Sequence, residues 1–168
     1  NATTIPSYAF YQCGSIWSIS IPENITSIGD YAFNNCYSLT SIEIPAGVES
    51  IGVYAFYGCN LIEEVEFALD GNLKSIGNNA FYHLMSITSL TIPSSVEFIG
   101  SNAFNGCNAL ETLTFAEGSN LTSISDYAFA ECKKLTTLEI PESVETIGID
   151  SFSNCEKLKV VIYEGLNN

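Results

Sequence analysis

Positive charge is scarce in this chain. Its 168 residues carry 5 Lys and Arg together against 19 Asp and Glu, for a formal charge of -14. Nucleic-acid affinity comes mainly from Lys and Arg neutralising phosphates, so this balance argues against a nucleic-acid partner. It argues against attraction to an anionic membrane surface for the same reason. Histidine occurs once, at His83, which rules out His-based metal clusters and the H-E-x-x-H pattern. No run of about 20 apolar residues exists, so no segment reads as a membrane-spanning helix. A Gly-rich phosphate loop is missing, as is a C-x-x-C pair that could hold a metal by thiolates. The chain opens Asn1-Ala2-Thr3, with neither an initiator Met nor a basic-then-apolar signal segment. Such a segment is expected to have been removed or to lie outside this chain. The acidic excess suits basic partners or divalent cations, and it also keeps molecules apart in solution.

What the chain has in abundance is repetition, and hydrophobic residues make up 46% of it, enough for one folded unit with a continuous core. The anchors Phe10, Phe33, Phe56, Phe81, Phe104, Phe129 and Phe152 are separated by 23, 23, 25, 23, 25 and 23 residues. Ala precedes each Phe except the last, where Ser151 stands. Three residues later comes a Cys in every repeat but the fourth, which has Leu84. Apolar residues then recur six, nine and eleven positions after the Phe, as in Leu39, Ile42 and Ile44. Pro22, Pro45, Pro93 and Pro141 follow in four repeats. Repeats three and five put Ala68 and Ala116 there and insert two residues, which reads as a slightly longer loop on one edge. Val48 and Ile51 typify the apolar pair that leads to the glycine before the next Phe.

One repeat shows the physics. In Leu39-Thr40-Ser41-Ile42-Glu43-Ile44, apolar and polar residues alternate, the signature of a strand with one buried face. Pro45 ends it, because proline cannot donate to a ladder. Val48 and Ile51 form a second, shorter extended piece. Gly52 turns the chain, and Tyr54 to Cys59 is expected to be a short helical or 3₁₀ turn with Phe56 and Cys59 inward. A single repeat cannot cover its apolar side, whereas stacked repeats bury it in columns, including a Phe ladder and a Cys ladder.

The pattern L-x-x-L-x-L-P-x-x-V-x-x-I-G-x-x-A-F-x-x-C resembles the BspA-like leucine-rich repeats, from about Ile5 to Tyr163. The resemblance implies a leucine-rich-repeat solenoid, an α/β-type horseshoe or right-handed superhelix. It would have one parallel strand per repeat on a concave face, with short extended and helical turns on the other side. It implies a single domain over 1–168 with about seven repeats. It further implies a secreted or cell-surface protein that binds extracellular-matrix or receptor-type proteins, as adhesins do. The alternative is a structural spacer or self-assembling unit without a specific ligand. The chain starts and stops inside a repeat with no obvious cap, so it reads as part of a longer array whose ends can stack on one another.

No residue reads as catalytic or cofactor-binding, and no cofactor is expected. All six Cys fall in one column where Leu84 can only fill space, so they are expected to be free, buried and resistant to thiol reagents. His83 reads as a partly exposed turn residue. Asn1, Asn24 and Asn120 each open an N-x-Thr glycosylation pattern, which matters only if the source glycosylates.

The binding face is expected on the concave sheet, at the positions seven, eight and ten after each Phe. These supply Trp17, then Thr40 and Glu43, then Glu63, Glu64 and Glu66, then Thr88, Glu111, Thr136 and Glu139. Most of the face is Ser and Thr. The third repeat crowds three Glu beside Glu43, although like charges on neighbouring strands are destabilising. That cluster is a candidate for a basic segment or a divalent cation. Trp17, the only Trp, is a candidate aromatic contact at one end.

Overall fold

The computed structural model describes residues 2–163. Each repeat makes one turn of a parallel β-solenoid, with two extended pieces per turn. The longer pieces are β3 (Ser41–Ile44), β5 (Glu64–Phe67), β7 (Ser89–Ile92), β9 (Thr112–Phe115), β11 (Thr137–Ile140) and β13 (Val160–Tyr163). The shorter are β1 (Thr4–Ile5), β2 (Ser27–Ile28), β4 (Ser50–Ile51), β6 (Ser75–Ile76), β8 (Phe98–Ile99), β10 (Ser123–Ile124) and β12 (Thr146–Ile147). In β3, β5, β7 and β11 exposed and buried residues alternate along the strand, as the sequence pattern demands. The seven two-residue strands form one unbroken parallel sheet, with each strand paired to that of the next turn.

The interior is a set of columns. Ring centroids along the Phe ladder are 5.0 to 5.5 Å apart, and the planes are close to parallel. Phe33, Phe56, Phe81, Phe104 and Phe129 are sealed from solvent. Their spacing is set by the interstrand distance, which leaves no room for an intervening layer. The thiols of Cys36, Cys59, Cys107, Cys132 and Cys155 each donate to a Phe carbonyl one turn back, at 3.2 to 3.7 Å. Cysteine therefore satisfies an acceptor as well as filling space. Not all six are covered: Cys13 and Cys155 are only half-buried.

The Phe-bearing segment is not helical, contrary to the expectation from its spacing. Left-handed backbone recurs every four residues instead, at Tyr31 and Asn35, Tyr54 and Gly58, Asn79 and His83, Asn102 and Gly106. Alternate N–H groups then serve two purposes. Ala55, Tyr57 and Cys59 close turns onto Gly52, Tyr54 and Phe56. Tyr54, Phe56 and Gly58 donate forward to Asn78, Ala80 and Tyr82 of the next repeat. A helix would spend all of these groups inside one repeat and leave the stack unpaired along this edge. Left-handed tyrosine is strained. Tyr8, Tyr31 and Tyr54 offset the strain by stacking at 4.9 and 5.0 Å, a contact worth about 1 kcal/mol per pair.

Candidate functional site

The outward residues of the four-residue strands share one face. Trp17, Thr40, Glu43, Glu63, Glu64, Glu66, Thr88, Glu111, Thr136 and Glu139 are all exposed. Glu43 stands opposite Glu66 and Ser41 opposite Glu64 in the β3–β5 register, so two carboxylates face each other across neighbouring strands. Trp17 lies one turn before Thr40 and is 72% exposed; its carbonyl accepts from both the N–H and the hydroxyl of Thr40. Lys134 pairs with Glu111 at 3.1 Å, and Lys133 reaches Glu131 at 3.3 Å. These are solvent-exposed pairs, worth little to stability.

This face is not a continuous sheet. Strands β3 and β5, β7 and β9, and β11 and β13 form three separate ladders. The breaks fall between β5 and β7 and between β9 and β11, and proline causes them. At the end of an intact pair, Ala68 N–H donates to the Ile44 carbonyl and Ala116 N–H to the Ile92 carbonyl. The equivalent donors to Phe67 and Phe115 would be Pro93 and Pro141, which have no N–H. Bulk adds to the effect. Phe67 and Phe115 stand where Ile21, Ile44, Ile92 and Ile140 stand in other repeats, and their rings meet Phe81 and Phe129 of the next turn edge-on at 5.8 and 6.5 Å. From the second repeat on, Pro45, Pro93 and Pro141 recur every 48 residues, so over that stretch the unit of this face is a pair of repeats.

Each break opens a cleft. The first, of about 790 Å³, is lined by Glu63, Glu64, Glu66, Phe67, Leu69 and Thr88 among others. The second, of about 900 Å³, is lined by Glu111, Phe115, Thr136, Glu139, Glu142 and Ser143 among others. The expected face residues other than Trp17, Thr40 and Glu43 thus divide between two clefts rather than forming one stripe. The sequence carried the signal in its alternation of Pro and Ala after the strand. Read as a longer loop, that alternation hid the consequence for the ladder.

The Glu cluster does not form a metal centre. Among the described residues no three or more His, Cys, Asp or Glu converge so as to hold an ion. The expectation of a divalent cation there is corrected accordingly. His83 is an exposed turn residue with left-handed backbone, and its ring lies on Tyr82 at 4.1 Å.

The BspA type leucine rich repeat region matches residues 3–83 and 74–168 in six copies, which together span nearly all of the chain. The chain belongs to the BspA-type leucine-rich repeat family. No curated protein is significantly similar to it. Solved structures of bacterial leucine-rich repeat proteins are. A leucine-rich repeat protein of T. pallidum is 29% identical with a TM-score of 0.82, over 94% of this chain and 72% of that one. One from Eubacterium ventriosum is 25% identical with a TM-score of 0.79, over 92% and 43%. A leucine-rich cell surface protein of Faecalibacterium prausnitzii is 26% identical with a TM-score of 0.61, over 98% and 48%. The chain therefore spans less than half of the last two. Leucine-rich repeat solenoids are typically non-enzymatic scaffolds of a kind that commonly mediates protein interaction, and no catalytic family is indicated. No helix of the described residues is long and apolar enough to cross a membrane.

Proposed function

We propose that this chain is a protein-binding module, secreted or displayed at a cell surface, that takes its partner on the face of four-residue strands in the manner of an adhesin. The observation that carries this reading is the contrast between the two sides of those strands. Ile42, Leu90, Leu113 and Leu138 seal the interior, while their outward neighbours in β3, β7, β9 and β11 are exposed Ser, Thr and Glu. A face of Ser, Thr and Glu on a rigid repeat scaffold, indented by two clefts, offers hydrogen-bonding groups at fixed spacing. Kinship with a cell surface protein of Faecalibacterium prausnitzii supports the location.

The test is surface plasmon resonance against a panel of purified extracellular-matrix proteins. A triple variant, Thr40→Arg, Thr88→Arg and Thr136→Arg, places bulk on the face. A control, Thr26→Arg with Thr122→Arg, places the same bulk on exposed residues beside β2 and β10. Binding lost only in the triple variant supports the reading. Absence of binding to every protein, or equal loss in both variants, refutes it and leaves a passive spacer.

A further inference from the structure

We propose that the two sheet breaks receive arginine side chains from one partner segment, an extended Arg-x-x-Arg stretch that seats one guanidinium in each cleft. The proposal rests on the reading of this face as the binding surface and names the chemistry of what binds there. Its basis is the way the breaks are built. At each one a backbone acceptor has lost the donor that the stack supplies elsewhere: Phe67 faces Pro93, and Phe115 faces Pro141, where intact pairs use Ala68 and Ala116. Carboxylates flank both acceptors, Glu64 and Glu66 at the first and Glu139 and Glu142 at the second. In the second cleft the hydroxyl oxygen of Ser143 is also buried without a hydrogen-bond partner.

These groups favour a planar donor over other ligands. Guanidinium carries five N–H groups in a fixed fork and matches carboxylates two bonds at a time. An ammonium is a compact, strongly hydrated point charge and fits such a slot less well. No Lys or Arg lines either cleft to compete, although Lys134 pairs with Glu111 at the rim of the second. The long-range field agrees, since residues 1–73 contain no Lys or Arg at all.

Spacing fixes the second half of the proposal. The clefts are two turns apart. Phe56 and Phe81, and Phe81 and Phe104, lie 5.1 Å apart along the stack. Two such steps separate the clefts by roughly 10 Å. A polyproline II segment has three residues per turn and rises about 3.1 Å per residue, so residues i and i+3 project from one side about 9 Å apart. Two arginines in that relation reach both clefts at once, and the second binds at the high effective concentration set by the first.

Fluorescence anisotropy with blocked, dye-labelled peptides tests this. The probe contains Arg-Pro-Pro-Arg. Its comparators contain Lys-Pro-Pro-Lys, Arg-Pro-Arg or Arg-Pro-Pro-Pro-Pro-Arg. The first is expected to bind at least tenfold more tightly than each of the others at physiological salt. Pro93→Ala with Pro141→Ala supplies the missing donors and closes the breaks; it is expected to weaken the probe at least tenfold while circular dichroism stays unchanged. Glu66→Gln with Glu139→Gln removes charge without touching the backbone and is expected to weaken the probe as well. Equal affinity for the Arg and Lys peptides means general charge attraction and overturns the proposal. So does affinity that survives the glutamine variant, whatever the proline variant does. If the peptides fail while a matrix protein still binds and is lost in the Thr→Arg variant, the arginine inference falls and the binding face stands.

Discussion

Removing one ring from the middle of the Phe ladder tests how the solenoid holds together. Phe81 is sealed from solvent, stacks on Phe56 and Phe104 at 5.1 Å on its two faces, and takes the ring of Phe67 against it at 5.8 Å. A buried Phe removes on the order of 200 Å² from water, worth about 5 kcal/mol at ~25 cal/mol per Å² as an upper figure. Phe→Ala changes in rigid cores cost about 3–5 kcal/mol. Collapse is restricted here, because the layers above and below are held at the interstrand distance. Phe81→Ala is therefore expected to cost about 4 kcal/mol. For a chain of this size that lowers Tm by roughly 8–16 °C. The internal reference is Phe152→Ala. Phe152 is half-buried and stacks on one ring only, Phe129 at 5.5 Å. It should cost about half as much. Urea and thermal unfolding followed by far-ultraviolet circular dichroism give both values. Equal costs, or a loss below about 1.5 kcal/mol for Phe81→Ala, would refute the view that the ladder carries the core.

Two further outcomes follow from the columns and the turns. Contact with Cys36 and burial push the Cys59 thiol up, and contact with Cys107 and burial push up Cys132. In the unfolded chain these thiols ionise near pH 8.5. Both states are protonated below that pH, so the stability is fully present there and falls as pH rises above it, by ~1.4 kcal/mol per pH unit for each thiol. Urea midpoints from pH 7 to 9.5 measure this, and a flat profile contradicts it; Cys13 and the half-buried Cys155 should meet thiol reagents first. Gly106 has φ of +78°, and a Cβ there would collide with the His83 ring. Gly106→Ala is expected to cost about 1–2 kcal/mol, and His83→Ala in the same chain should recover the collision but not the backbone strain. Full recovery would mean that φ contributes nothing.

Periodicity alone determined the family, the parallel stack, the two extended pieces per turn and the inward columns. Ile42, Ile44, Val48 and Ile51 can be buried together in only one way when the same order of residues recurs in five more repeats. It also determined which residues point out, since alternation in a strand leaves Glu43, Glu66 and Thr91 no other side. Two things required the tertiary structure. The first is the turn around Phe56. Spacing of three between Phe56 and Cys59 fits a helix as well as a left-handed turn, and the choice is made by hydrogen bonds to the next repeat, which no single repeat contains. The second is the pair of clefts. Pro93 and Pro141 are plain in the sequence, but a missing N–H matters only where another layer offers the carbonyl it would have met. That carbonyl belongs to Phe67 or Phe115, one turn away, and stacking alone brings the two together.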